Sequence, residues 1–257
     1  PTETEHLARS SKAIAPVLAT KISDADATAL REAVKAFTSA NLAKGLELRR
    51  TISDPVAGKL ADWVRLRAGY GTAEEYRAFL DKNPAWPERA LLTQRLEEAL
   101  FTQGGTSTEI RSHFKNGGPD HGVGFAALAS SYLAEGKTAE ATKYAAKAWR
   151  EMNLPATLET GFLERFGKLL VAADHKARLD RLIVDDLRYK ADRTARAAVA
   201  RRVIPLLPED ERAKAEARLA VFLQQDGARA KIDAIPLSGK SDWGLAYHKA
   251  QSLRRAV

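Results

Sequence analysis

No cysteine occurs in the 257 residues, which excludes disulfides, thiolate zinc sites and cysteine nucleophiles together. No apolar run approaches the roughly 20 residues that a membrane-spanning helix requires. The phosphate-cradling and nucleophile-elbow patterns G-x-x-x-x-G-K-[ST], G-x-G-x-x-G and G-x-S-x-G are all missing. Strand-like alternation is missing as well. The first residues, PTETEHLARSSK, are polar and contain no signal-peptide core. Two readings follow: a cytoplasmic protein, or one from which such a segment has been removed.

What is present is helical periodicity. In HGVGFAALASSYLAEGKTAEATKYAAKAWREM (His121 to Met152), Phe125, Leu128, Ala129, Tyr132 and Leu133 form one apolar stripe. Ala141, Tyr144, Ala145, Ala148 and Trp149 form a second. Gly136 between them can close a helix in the left-handed conformation, and Thr138 is placed to cap the next. Ala129 and Ala141 allow close approach of two antiparallel backbones. The stretch predicts an αα-hairpin of the tetratricopeptide type. Such a hairpin cannot bury its stripes alone and needs neighbours on both sides.

The remaining sequence supplies them. Ser23 is an N-cap ahead of Leu30, Val34 and Phe37, and Asp54-Pro55 starts a helix carrying Val56, Leu60, Trp63 and Val64. Thr72 with Glu75, and Thr106 with Glu109, have capping-box spacing. NPAWP (Asn83 to Pro87) breaks the pattern, and Pro87 is expected to open a helix with Leu92, Leu96 and Leu100 inward. Asp174 is expected to cap the helix of Leu179, Leu182 and Ile183, and a last helix is expected from Ser241. The fold expected is all-α: a superhelix of paired antiparallel helices, a tetratricopeptide-like solenoid. Residues 1–22 are expected as a loose arm and 23–257 as one superhelical domain.

With 41 Lys and Arg against 33 Asp and Glu, the net charge is +8, which suits an anionic partner. The charges mostly alternate in sign, as in EDERAKAEARL, and aromatic and basic residues do not interleave, which argues against nucleic acid. Glu97-Glu98 and Asp185-Asp186 diverge by about 100° on a helix and read as solvated acids rather than a catalytic pair. His6, His113, His121, His175 and His248 share no metal-ligand spacing, so no metal and no cofactor is expected. Trp63 and Trp149 lie on apolar stripes and are expected in the core. Trp86, between two prolines, is the tryptophan open to a sugar or partner contact.

DPVAGKLADWVRLRAG and YRAFLDKNPAWPERALLTQRLEEAL together resemble the superhelical N-terminal (U-type) domain of soluble lytic murein transglycosylases. The most specific part is F-L-x-x-N-P-x-W-P-x-R-x-L-x-x-x-R-x-E-x-A-L, from Phe79 to Leu100. The central hairpin, RLDRLIVDDLRYKADRTARAAVARRV and DWGLAYHKAQSLRRA look like later repeats, extending the likeness over Asp24 to Ala256. Val184 and Ser252 stand where bulky aromatics would be expected. The resemblance implies a bacterial periplasmic location and a superhelix that positions or encircles peptidoglycan glycan strands.

The family's catalytic Glu sits in a lysozyme-like domain, in a Glu-Ser pair followed by an Ala-x-Gly-x-x-Gly-Leu-x-Gln stretch. Glu151, Glu159 and Glu164 lack those neighbours, so no catalytic residue is assigned. The chain is accordingly expected to be a fragment or truncated paralogue, inactive alone, with further repeats and the lyase domain beyond it. Its expected partners are that C-terminal catalytic domain and, weakly and electrostatically, peptidoglycan. The alternative is a helical-repeat adaptor for a peptide or protein.

Overall fold

The computed structural model describes residues 2–5, 7, 11–12, 21–185, 187, 189–237 and 242–254. Helix accounts for 76% and no strand occurs among the described residues. The fold is all-α. The chain divides into two compact units, 1–99 and 100–257, where the sequence reading runs one domain over 23–257. Of the expected arm, residues 3–5, 7, 11 and 12 are helical and exposed. His6, Asp186 and the expected helix start at Ser241 lie outside the described residues.

Unit 1 contains α1 (Asp24–Thr38), α2 (Leu42–Thr51), α3 (Pro55–Arg67) and α4 (Ala73–Lys82), and the unit boundary falls late in α5 (Arg89–Thr102). Ala29, Ala33 and Phe37 of α1 pack with Ile52, Ala57, Ala61 and Val64, and Trp63 lies against this cluster. The helix starts follow the sequence signals. Ser23 accepts the Asp26 N–H at 3.0 Å, and Asp54 accepts those of Val56 and Ala57 at 3.0 and 2.7 Å. Thr72 and Glu75 close their capping box. Pro87 does not start α5. Glu88 takes φ +57, and the helix begins at Arg89, because a left-handed residue cannot join the helix that follows.

Asp26 has a second role. Its carboxylate is 8% exposed and accepts the N–H groups of Ser53 and Asp54 at 2.8 and 3.1 Å, tying α1 to the start of α3. The Ser53 N–H, helped by that of Asp54, outweighs burial, which acts upward, and holds its pKa below the ordinary 3.8. A depressed carboxylate stabilises the fold above its unfolded value, and that contribution is lost as pH falls through the folded value. Asp26→Asn should therefore be less stable than wild type at about pH 6, with a smaller gap at about pH 3, below the ordinary carboxylate value, in urea denaturation. An equal gap at both pH values would show that the Asp26 charge is irrelevant.

Unit 2 contains α6 (Ser107–His113), α7 (Gly122–Ala134), α8 (Thr138–Glu151), α9 (Ala156–Phe166), α10 (Ala172–Ile183), α11 (Lys190–Val203), α12 (Glu209–Leu223), α13 (Ala228–Asp233) and α14 (Trp243–Arg254). Thr106 and Glu109 make the expected capping box ahead of α6. The α7–α8 hairpin forms as expected: Phe125, Leu128, Ala129, Ala141, Ala145, Ala148 and Trp149 are buried, while Tyr132, Leu133 and Tyr144 of the expected stripes are half-buried. Gly136 has φ +72, and the N–H groups of Gly136 and Lys137 reach the carbonyls of Leu133 and Tyr132 at 3.0 Å each. This reversal uses one residue fewer than the sequence suggests. Lys137 takes the non-helical N-cap position, and Thr138 becomes the first helical residue instead of the cap.

Helix α10 shows a similar shift. Val171 is the N-cap, and Asp174, the third helical residue, accepts the Val171 N–H at 2.8 Å. Beyond the hairpin, α8 packs on α10, α10 on α11 and α12, and α12 on α13 and α14.

Candidate functional site

The sequence NPAWPE builds an aromatic corner in unit 1. The Asn83 side chain donates to the Phe79 carbonyl at 2.8 Å, and the Trp86 N–H returns to the Asn83 carbonyl at 3.1 Å. Arg89 then donates to the carbonyls of Leu80 and Asn83 at 2.9 and 3.0 Å, clamping the loop onto the end of α4. The result places Trp86 edge-on to Phe79 at 5.8 Å and to Trp63 at 6.5 Å. Arg67 lies 4.5 Å over the Trp63 ring and pairs with Glu88. Lys59 lies 5.4 Å over Trp86.

Neither tryptophan is where its sequence position suggests. Trp86 is half-buried rather than open, because the turn folds it against two other rings. Trp63 is half-buried rather than core: its indole covers the edge of the α1–α3 cluster and carries the Arg67 guanidinium on its outer face. The indole N–H of each is buried without an acceptor, so packing and neighbouring charge, not hydrogen bonds, hold these rings in place.

Alongside this corner runs a groove of about 370 Å³ between α3 and α4. Pro55, Ala78 and Phe79 give it an apolar floor, and Lys59 and Lys82 stand exposed on its rim. Its walls are two fixed ion pairs. Arg49 grips Asp62 through two bonds of 3.0 and 2.9 Å. Arg65 grips Glu75 through bonds of 2.8 and 3.2 Å, while also donating to the Tyr70 carbonyl at 2.6 Å. Burial pushes the Glu75 carboxyl up, but bonds from Arg65 and Thr72 outweigh it and leave the carboxyl below its ordinary value. The Tyr76 hydroxyl donates to the Leu66 carbonyl at 2.9 Å, and burial raises its pKa to about 12, so it stays neutral.

Both acids are therefore committed to arginines, and the two rim lysines leave the groove cationic. No protein-family model, curated protein or solved structure matches this chain. The chemistry of the groove rests on its own residues. An apolar, aromatic-edged channel with two exposed ammonium groups suits an elongated ligand that carries carboxylates.

The other candidates lie elsewhere. Glu151 and Glu164 are exposed, whereas Glu159 is 5% exposed and shared between Arg178 and Arg202. Glu97, expected in solvent, is 1% exposed, since Phe101 one turn on is buried too and that side of α5 does not face water. Asp185 remains half-exposed and pairs with Arg196 at 3.2 Å. His175 and His248 are buried, and among the described residues no three potential metal ligands converge. Trp243 is exposed. Sequence reasoning missed Lys59, Lys82 and Phe79. Lys59 and Trp63 share a helix face at i, i+4, as Phe79 and Lys82 do at i, i+3, and that recurrence of ring beside cation was the available signal.

Proposed function

We propose that this chain is a non-catalytic helical module of a periplasmic peptidoglycan lytic transglycosylase. Its α3–α4 groove holds cell-wall glycan for a catalytic domain outside the chain, and its paired helices belong to a superhelix. The observation that carries this reading is the trio Phe79, Trp86 and Trp63 beside Lys59 and Lys82. Aromatic rings suit sugar faces, and ammonium groups suit the carboxylates of lactyl ethers and stem peptides. The Phe79–Leu100 segment, which resembles the transglycosylase domain most specifically, builds one side of this site.

Sedimentation with purified sacculi tests the proposal. The chain should co-sediment, less so at high salt, because exposed charges are screened beyond about 8 Å at physiological ionic strength. Exchanging both Lys59 and Lys82 for Ala removes two contacts of ~0.5–1 kcal/mol each and should weaken retention roughly five- to thirty-fold. Trp86→Ala should weaken it at both salt concentrations, and no anhydro-muropeptides should appear in the supernatant. Soluble anhydro products would overturn the non-catalytic reading. Retention that ignores both lysines and Trp86 would move the site off this groove. Absence of binding would leave the helical-repeat adaptor as the better account.

A further inference from the structure

A second cluster of charge lies in unit 2, where α10 and α11 border the Asn153-Leu154 link. Arg178, Arg181 and Arg196 line a cavity of about 320 Å³ whose remaining walls include Leu154, Leu182 and Val199. Arg178 is 1% exposed. It donates to Glu159 and, at 2.9 Å, to the Trp149 carbonyl, yet its Nε–H is buried with no acceptor. Arg181 donates to the carbonyls of Arg150 and Met152 at 2.9 and 2.7 Å and to the Asn153 side chain at 3.0 Å. All three of those acceptors are neutral. Arg196 shares Asp185, which is itself half in solvent.

The balance of charge is uneven. Four guanidinium groups (Arg178, Arg181, Arg196 and Arg202) face two carboxylates, and Glu159 already serves both Arg178 and Arg202. Burial first, and the Arg196 charge second, hold the Arg181 pKa below its ordinary value. Like charges brought together without enough acid cost stability unless a counter-ion joins them. The planar, multi-donor guanidinium is the side chain best matched to carboxylate and phosphate oxygens.

We propose that the cavity lined by Arg178, Arg181 and Arg196 is a binding site for a small oxyanion, carboxylate or phosphate, carried on a short apolar body. The oxyanion head lies against the guanidinium groups and the body against Leu154, Leu182 and Val199. The site belongs to unit 2 alone, so it stands or falls independently of the groove beside Trp86.

Arginine side-chain Nε–H signals, followed by nuclear magnetic resonance on the full chain, read binding directly. Inorganic phosphate and N-acetylleucine serve as probes, with sodium chloride at matched ionic strength as control. Saturable shifts at Arg178 and Arg181 are expected with at least one probe. Phosphate alone would identify a phosphate ligand, N-acetylleucine alone a carboxylate with an apolar body, and both a site for either head. Arg196→Gln removes one charged donor from a half-exposed position and should weaken binding about tenfold, a ~1.4 kcal/mol change. Unchanged helicity and melting would show that this variant is folded, and Arg196→Lys should recover part of the affinity. Shifts no larger than those in chloride, or an affinity that Arg196→Gln leaves unchanged, would overturn the proposal.

Discussion

Trp149→Ala is expected to remove ~3–5 kcal/mol of stability, the range for emptying a large aromatic site in a packed interior. The ring is 1% exposed and stacks on Phe162 at 5.5 Å with planes 9° apart. Arg178 covers it at 4.1 Å, and the Trp149 indole Nε1–H donates to His175 Nδ1 at 3.1 Å. Burial lowers the His175 pKa against the opposing Asp174 charge, with Arg178 adding to the lowering, which keeps the imidazole neutral and that nitrogen free to accept. Truncation would open a cavity, leave Nδ1 without its donor and uncover a buried cation. Trp149→Phe keeps most of the packing and should cost clearly less. Trp63→Ala and Trp86→Ala, at half-buried rings, should also fall well below Trp149→Ala. Equilibrium denaturation of the four variants orders them, and a Trp149→Ala cost under about 1 kcal/mol would refute this account of the core.

The contrast among these tryptophans shows what the sequence can carry. Trp149 sits on a stripe whose partners, Ala141, Ala145 and Ala148, lie on the same helix, so spacing alone predicts its burial. Trp86 is in a loop, and its neighbours Trp63 and Phe79 come from two different helices; nothing in the order of residues announces that meeting. Helix starts were legible wherever a side chain makes the cap, as at Ser23, Asp54, Thr72 and Thr106. They slipped where backbone conformation decides, as at Lys137 and Glu88. The arginine cluster was hidden for a related reason. Arg178 and Arg196 lie in stretches that read as alternating surface charge, and only the packing of α10 against α11 brings them to one cavity.

Asp180→Leu is expected to cost ~3–5 kcal/mol, because it strands a buried cation rather than because it deletes an attractive contact. Arg218 is 2% exposed and donates to Asp180, itself 7% exposed, while its Nε faces His248 Nδ1 at 3.4 Å. Gly244 makes the arrangement fit: a Cβ there would lie 2.4 Å from Arg218 Nη2 and 2.8 Å from Asp180 Oδ1. Helices α10, α12 and α14 thus meet over one ion pair and one missing side chain. Removing both charges in Asp180→Leu/Arg218→Met avoids the desolvation penalty that either single change leaves behind. The double variant should therefore be more stable than Asp180→Leu alone, with a coupling energy of ~0.5–3 kcal/mol in a double-mutant cycle. Additive or worse-than-additive losses would mean that Arg218 is satisfied without Asp180.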